Sequence, residues 1–166
     1  RAYIHCFEPN MLNFNCLELN VGKIATCYNF GLSNKNEKKT LYKLNDNHGH
    51  STFLVNSSFD AKEECDLKDI NIELNKIIKD RKNSKTKIVL KIDTEGYDLF
   101  LISVLKKEIL NKIDLICFEY SNSDFKEFNQ KILQNNLNYF DKISSDNGTI
   151  YTSKQISDTS IKGQID

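Results

Sequence analysis

Residues 87–98, which read KIVLKIDTEGYD, constrain the fold of this chain more than any other segment. The first six are mostly apolar and partly β-branched, which predicts a strand buried in a sheet. The strand ends at a glycine-containing turn that carries Asp93 and Glu95, and a helix-periodic segment follows. Because ligands in open α/β sheets bind beyond the carboxyl ends of the strands, we expect these carboxylates near a ligand. The alternative is that Asp93 caps the next helix and Glu95 is solvated.

The same order of strand, acid and helix occurs twice more along the chain. Residues 3–7 form a strand-like run that ends in Glu8, and residues 114–118 form another that ends in Glu119. A helix-like segment follows each run, which predicts parallel strands joined by helices. The carboxyl ends of parallel strands meet at one edge of a sheet. We therefore expect Glu8, Asp93 and Glu119 along a single edge.

The segments between these strands alternate between helical and strand-like patterns. Pro9 suits the first position of a helix, and Gly22 suits its end. The further predicted elements are a strand at residues 23–32, a hairpin of residues 41–44 and 51–55, a loop at residues 56–65, a helix that starts at Leu67, and a helix through Leu99, Ile102 and Leu105.

The last third of the chain predicts one more helix and a closing β-hairpin. Residues 121–124 resemble a capping box ahead of an amphipathic helix. The Asn147-Gly148 pair separates two strand-like runs. The polar residues 154–166 have little to bury and are expected to form a disordered tail. The chain is thus predicted to be one α/β domain over residues 1–153 with a tail.

Composition excludes several classes of function. The chain has 166 residues, of which 23 are basic and 23 acidic, so it carries no strong field that would attract nucleic acid or anionic lipid. No apolar run approaches the roughly 18 residues of a membrane span. The five cysteines are odd in number and widely spaced, which favours reduced thiols in a cytoplasmic setting. No Cys/His cluster suggests zinc.

Three short motifs follow one another along the chain: residues 7–10 (FEPN), Gly31–Ser33 (GLS) and residues 91–98 (KIDTEGYD). Together they resemble the signatures of the FkbM-type methyltransferases, and the resemblance spans residues 3–119. It implies an S-adenosylmethionine-dependent enzyme with a Rossmann-like sheet, mostly parallel and ending in a C-terminal antiparallel hairpin. Family members begin with a strand and a glycine-rich turn that holds the methionine end of the cofactor. The present residues begin after that turn, so the first strand is expected to be missing.

The resemblance also gives roles to polar residues near the first strand. Glu8 is expected to accept hydrogen bonds from both ribose hydroxyls of S-adenosylmethionine, as an acid after the second strand does in dinucleotide-binding folds. The alternative for Glu8 is a plain helix-capping role. Asn10 and Ser33 are expected to contact the nucleoside from adjacent turns.

Methyl transfer to a hydroxyl requires an aligned oxygen and a group that takes its proton. The candidates for this base are Asp93, Glu95 and His48. His48 lies in the turn of a predicted hairpin and titrates near neutrality, although an exposed turn residue without a catalytic role is the alternative. The leading hypothesis is a cytoplasmic S-adenosylmethionine-dependent O-methyltransferase. Its substrate would be a small molecule or a glycan, most simply a sugar hydroxyl, and nucleic acid is not an expected partner.

Two other functions are compatible with these residues. Clustered acids also suit Mg²⁺ in an α/β enzyme of phosphate chemistry, although the sequence has no glycine-rich phosphate loop. The second is a non-catalytic, degenerate methyltransferase-like module. Because the glycine-rich turn is not among these residues, the chain by itself is expected to bind S-adenosylmethionine weakly. It is also expected to self-associate through exposed strand edges.

Overall fold

The described residues form both strands and helices, and the fold belongs to the α/β class, as the sequence predicts. The structure is a computed structural model that describes residues 2–44, 47–53, 61–80, 86–119, 135–136, 138, 140, 142–146 and 149–153. The chain divides into two units. Unit 1 comprises Arg1–Lys79 with Thr94–Tyr97, and unit 2 comprises Asp80–Asp93 with Asp98–Asp166.

The described residues contain ten strands and four helices. The strands are β1 (Ile4–Phe7), β2 (Ala25–Tyr28), β3 (Gly31–Ser33), β4 (Glu37–Leu44), β5 (Asn47–Thr52), β6 (Ala61–Asp69), β7 (Val89–Ile92), β8 (Leu115–Glu119), β9 (Lys142–Asp146) and β10 (Thr149–Ser153). The helices are α1 (Met11–Val21), α2 (Ile70–Asp80), α3 (Asp98–Val104) and α4 (Lys107–Leu110).

The described strands form three sheets, and the prediction of one mostly parallel sheet is wrong for this part of the chain. In unit 1, β1 pairs with β2, and a four-stranded sheet has the order β3-β6-β4-β5. In unit 2 the order is β7-β8-β10-β9. The pairs β1–β2, β3–β6 and β7–β8 are parallel, whereas β4–β5, β4–β6, β8–β10 and β9–β10 are antiparallel. An apolar pattern marks a strand but does not identify its partner, because pairing joins residues far apart in sequence.

Helix α1 begins two residues later than predicted. Its N-cap is Asn10, whose side-chain oxygen accepts the N–H of Asn13 at 2.9 Å, so Pro9 lies before the cap. Asparagine is among the strongest N-cap residues, which explains why the helix starts at Met11. The predicted end at Gly22 is confirmed.

The predicted strand over residues 23–32 is divided into β2 and β3, which join different sheets. Asn29 lies at the break, and its side-chain nitrogen donates to the carbonyl of Glu8 at 3.0 Å. This bond ties the bend to the end of β1, so the two short strands diverge there. The predicted hairpin is confirmed as β4 and β5, which are antiparallel.

Strand β6 begins at Ala61 and includes residues 61–65, the second half of the segment that the sequence predicts to be a loop. Its burial alternates, with Cys65 and Leu67 buried and the intervening charged residues exposed. Charged side chains on the solvent face made this strand look like a loop in the sequence. Helix α2 follows at Ile70 rather than at Leu67, because Asp69 accepts the N–H groups of the first turn.

Strand β8 and helices α3 and α4 supply much of the buried core of unit 2, and the helix predicted after Gly96 is confirmed as α3. The buried residues of this core include Leu99, Ile102, Leu110, Ile113, Ile116 and Phe118. The predicted closing hairpin is confirmed as β9 and β10. The helix predicted after residue 124 lies largely outside the described residues, and the tail at residues 154–166 lies entirely outside them.

Strand β7 is less buried than predicted. Its residue Val89 is 63% exposed, while Ile92 is buried. Within the described residues, β7 pairs with β8 alone, so one of its edges has no neighbouring strand. A strand with one partner loses less surface to packing than a central one.

Candidate functional site

Glu8 follows β1 directly, in the turn that leads into α1. Its backbone N–H donates to the carbonyl of Tyr28 at 3.0 Å, which continues the pairing of β1 with β2. Its side-chain Oε1 accepts the backbone N–H of Asn10 at 2.8 Å. Within the described part of the chain, Oε2 has no hydrogen-bond partner. The carboxylate is therefore held by one oxygen and can accept hydrogen bonds with the other.

The surroundings of Glu8 disfavour its charged form. Burial raises the pKa of this carboxyl group, and the negative charge of Glu63 raises it further. The hydrogen bond from the N–H of Asn10 acts in the opposite direction, but the net change is a raised pKa. A half-buried carboxylate of this kind gains from a ligand that donates hydrogen bonds, since such donors replace lost water.

Four aromatic rings support the end of β1. Phe7 stacks on Tyr28 with ring centroids 4.9 Å apart, and Phe30 contacts both rings at 5.5 and 5.4 Å. His5 continues the stack, with its Nδ1 3.2 Å from the hydroxyl oxygen of Tyr28. Aromatic pairs at these distances contribute beyond their buried area. They give Glu8 a fixed strand end from which to project.

Asn10 was expected to contact a nucleoside, but its side chain already bonds to protein at both ends. Its oxygen caps α1, and its nitrogen Nδ2 donates to Oε2 of Glu63 at 2.9 Å. The residue is only 3% exposed. In this structure Asn10 connects the Glu8 turn to β6.

Sequence reasoning missed Glu63 and its partner Lys43. Lys43 Nζ lies 2.6 Å from Glu63 Oε2, and Glu63 Oε1 accepts the N–H of Met11 at 3.3 Å. The available signal was the period of two in β6, which places Glu63 on the same face as the buried Cys65 and Leu67. A carboxylate on a buried face requires a hydrogen-bond donor or a positive charge beside it.

Ser33 is fully buried, with its Oγ 3.2 Å from Glu37 Oε1 and 3.4 Å from the hydroxyl oxygen of Tyr97. Its contact with a nucleoside stays a prediction. The glycine of the same motif has a clear structural reason. A Cβ on Gly31 would lie 2.5 Å from Leu67 Cδ2 and 3.3 Å from Pro9 Cβ, so a larger residue there would force the buried Leu67 side chain to shift.

The turn at Glu95 and Gly96 has an unusual backbone. Glu95 has a φ of 51° and Gly96 a φ of 95°, and the left-handed region is uncommon for a residue other than glycine. The hydroxyl of Thr52 donates to the carbonyl of Glu95 at 2.9 Å. Tyr97, just after the turn, is buried against Phe53 with ring centroids 5.8 Å apart. Such positions persist where the surrounding structure holds them, and they occur often at functional sites.

Asp93 and Glu119 lie at the same end of the sheet in unit 2. They follow Ile92 and Phe118, which are paired in the parallel register of β7 with β8. Asp93 is exposed and forms an ion pair with Lys91, whose Nζ lies 2.7 Å from its Oδ2. Glu8 belongs to a different sheet, so the expectation that all three acids share one sheet edge is wrong for the described strands.

The third predicted base, His48, lies within β5 and not in a turn. The turn of this hairpin is shorter than predicted because β5 begins at Asn47. The side chain of His48 lies outside the described part of the structure, and its role as a base stays a prediction. A buried acid that sequence reasoning did not single out is Asp98, whose Oδ1 accepts the N–H of Glu119 at 3.2 Å.

Two features are absent from the described residues. None of the helices there is long and apolar enough to cross a membrane. Among the same residues, no three His, Cys, Asp or Glu side chains form a group that could hold a metal ion.

Comparison with known proteins identifies the domain. The profile of the methyltransferase FkbM domain matches residues 1–144. No curated protein and no solved structure gives a significant match. The match covers most of the chain and confirms the resemblance carried by the motifs at residues 7–10, 31–33 and 91–98. This chain therefore belongs to the FkbM methyltransferase family.

Proposed function

We propose that the chain acts as an S-adenosylmethionine-dependent O-methyltransferase on a hydroxyl group of a sugar or glycan. Membership of the FkbM family supports methyl transfer. The observation that carries the choice of donor is the Glu8 turn, in which a half-buried carboxylate at the end of a parallel strand keeps one oxygen for a ligand. The resemblance to FkbM-type enzymes supports the acceptor class.

The Glu8 turn fits the ribose of the proposed cofactor. A ribose offers two adjacent hydroxyl donors, and a carboxylate can accept from both with charge-assisted hydrogen bonds. The N–H of Asn10 fixes the orientation of the carboxyl group through Oε1. The rings of Phe7 and Tyr28 limit movement of the strand that carries it. Glu8 would therefore hold the ribose in one orientation.

When bound, S-adenosylmethionine supplies an electrophilic methyl group. The chain must then align the acceptor hydroxyl and take its proton. Glu95 is the stronger candidate for this base, because its backbone carbonyl accepts a hydrogen bond from Thr52 and the residue is half-buried. Asp93 is exposed, and Lys91 already occupies its carboxylate. His48 remains a candidate on its chemistry alone.

Isothermal titration calorimetry tests the donor. We expect S-adenosylmethionine to give weak but measurable binding heat without Mg²⁺. Glu8→Gln should abolish most of that heat. The matched control is Glu64→Gln, which alters an exposed acid paired with Lys38 at 3.2 Å. Heat with Mg²⁺ alone would favour phosphate chemistry, and no binding heat from the folded chain with either ligand would favour a non-catalytic module.

Methyl transfer from cofactor with a radiolabelled methyl group tests the acceptor. A panel of sugars and glycans should take up label, and the label should resist mild alkali because a methyl ether is stable to base. Label that is released by alkali would indicate methylation of a carboxylate, which contradicts the proposed acceptor. Glu95→Gln should lower the turnover number more than it changes the affinity for the cofactor.

A further inference from the structure

A glutamate from the four-stranded sheet of unit 1 contacts the turn that carries Glu8, and a lysine of the same sheet binds this glutamate. Glu63 is on β6, which pairs with β3 on one side and β4 on the other. Its carboxylate accepts Nδ2 of Asn10 at 2.9 Å and the N–H of Met11 at 3.3 Å. Lys43 on β4 donates to the same carboxylate at 2.6 Å. The side chains of Lys43 and Glu63 are each only 26% exposed.

Glu63 is held in its charged form by these partners. Burial by itself raises the pKa of Glu63, but the hydrogen bonds from Lys43 and from the N–H of Met11 outweigh it, and the net pKa is lowered. An ionised carboxylate is a stronger acceptor than a neutral one. The hydrogen bonds that Glu63 accepts from Asn10 Nδ2 and from the N–H of Met11 are therefore of the stronger, charge-assisted kind.

We propose that Glu63 and Lys43 are positioning residues, which hold Asn10 and through it set the orientation of the Glu8 carboxylate. The link is direct, because the backbone N–H that binds Glu8 Oε1 belongs to the residue whose side chain binds Glu63. Asn10 is then a connector and not a ligand contact. The identity of the ligand as S-adenosylmethionine rests on the proposed function, whereas the positioning of Glu8 by Glu63 and Lys43 does not.

The titratable groups around Glu8 make the positioning measurable. Among the described residues they are Glu63 and Cys65 on β6, with Lys43 on β4 beyond Glu63. Burial raises the pKa of the Cys65 thiol to about 11, so this group is neutral at physiological pH. Glu63 is thus the charged neighbour whose removal should change the titration of Glu8.

The first test needs no cofactor. In ¹³C-glutamate NMR, Glu63→Gln should lower the pKa of Glu8, because a nearby negative charge is lost. Hydrogen exchange at the amides of Met11 and Asn13 should become roughly tenfold faster in Glu63→Ala, since the helix start loses its support. Glu64→Gln and Glu64→Ala, on the exposed face of the same strand, should change neither quantity.

If Glu63→Gln leaves the Glu8 titration as in the wild type, or Glu63→Ala leaves both amides as in the wild type, the positioning role is overturned. The glutamine variant keeps the test decisive if the alanine variant does not fold. Lys43→Met gives an independent test of the ion pair between Lys43 and Glu63. Loss of the lysine should raise the pKa of Glu63 toward the ordinary range. An unchanged Glu63 titration in that variant would show that the ion pair does not form.

The second test measures S-adenosylmethionine binding. Glu63→Ala should weaken it about tenfold, which corresponds to about 1.4 kcal/mol, and Glu64→Ala should not. If the wild type binds no cofactor, the proposed function fails, while the NMR arm still decides on positioning. If the wild type binds and Glu63→Ala binds equally tightly with a displaced Glu8, the role of Glu63 in the cofactor site is wrong.

Discussion

The parallel pairs β1–β2 and β7–β8 end in acids with the same sequence pattern, yet the two ends differ in chemistry. Glu8 after β1 is half-buried, bound by a backbone N–H, and close to the like charge of Glu63. Asp93 after β7 is exposed and paired with Lys91 on its own strand. The pattern therefore predicts where an acid lies on a strand. The neighbours in space decide what that acid can do.

The two strand pairs also differ in burial. In β8, Ile116 and Phe118 are almost completely buried, and β8 lies between β7 and β10 in its sheet. In β1 no residue is fully buried, and within the described residues β2 is its single partner. Unit 2 has a strand at the centre of a core, while the Glu8 end of unit 1 is held by aromatic stacking and hydrogen bonds.

The largest effect on stability should come from a substitution in the buried core of unit 2. Phe118→Ala should lower the free energy of unfolding by about 3–5 kcal/mol, because it opens a cavity in a buried site. Phe7→Ala should cost clearly less, since Phe7 is only half-buried. Urea unfolding of both variants measures the difference, and equal losses would show that β1 is as central to the core as β8.

The next largest effect should separate the two acids by ligand binding. Glu8→Gln should weaken S-adenosylmethionine binding by about 1.5–3 kcal/mol, because it replaces a charge-assisted acceptor by a neutral one. Asp93→Asn should leave the affinity nearly unchanged, because Asp93 belongs to the other strand pair. Calorimetry or equilibrium dialysis checks both. A larger loss of affinity in Asp93→Asn than in Glu8→Gln would assign the cofactor contact to Asp93 and not to Glu8.

A smaller effect should appear at the turn that bears Glu95. Thr52→Val removes the hydroxyl that bonds the Glu95 carbonyl and should cost about 1 kcal/mol of stability. Thr40→Val, at an exposed position of β4, is the matched control. If the turn must be held for catalysis, Thr52→Val should also lower turnover without changing cofactor affinity. Unchanged stability and turnover would mean that this bond does not hold the turn.

The smallest effects should have opposite signs at the two acids. The raised pKa of Glu8 means that its charged form is less favourable in the folded chain than in the unfolded one. Glu8→Gln should therefore raise the free energy of unfolding at pH 7. This gain should disappear when the pH is lowered to about 4, because Glu8 of the wild type then becomes protonated in the folded chain. Asp93→Asn should lower stability at pH 7 by at most about 1 kcal/mol, since its ion pair is exposed. Urea unfolding at pH 7 and at about pH 4 measures both changes in stability. Changes of the same sign in the two variants at pH 7 would contradict the comparison of the two acids.

Much of the local structure could be predicted from residues that are close in sequence. The end of α1 at Gly22, the helix α3 and both hairpins are marked by caps, periodic apolar residues and turn signals. The prediction failed at β6, where charged residues on the exposed face hid the alternation of Cys65 and Leu67. It also failed between β2 and β3, where Asn29 bonds to a carbonyl more than twenty residues away.

By itself, the sequence determined the α/β class, the strand ends that carry Glu8 and Asp93, and the family, because motifs and periodicity are local. Only the tertiary structure decided which strands pair and which charges meet. Glu63 reaches Asn10 across 53 residues, and Lys43 reaches Glu63 across 20. Those contacts depend on the register of β6 against β4. The pKa of Glu8 depends on them in turn, since burial and a neighbouring charge act through distance in space and not through order in the chain.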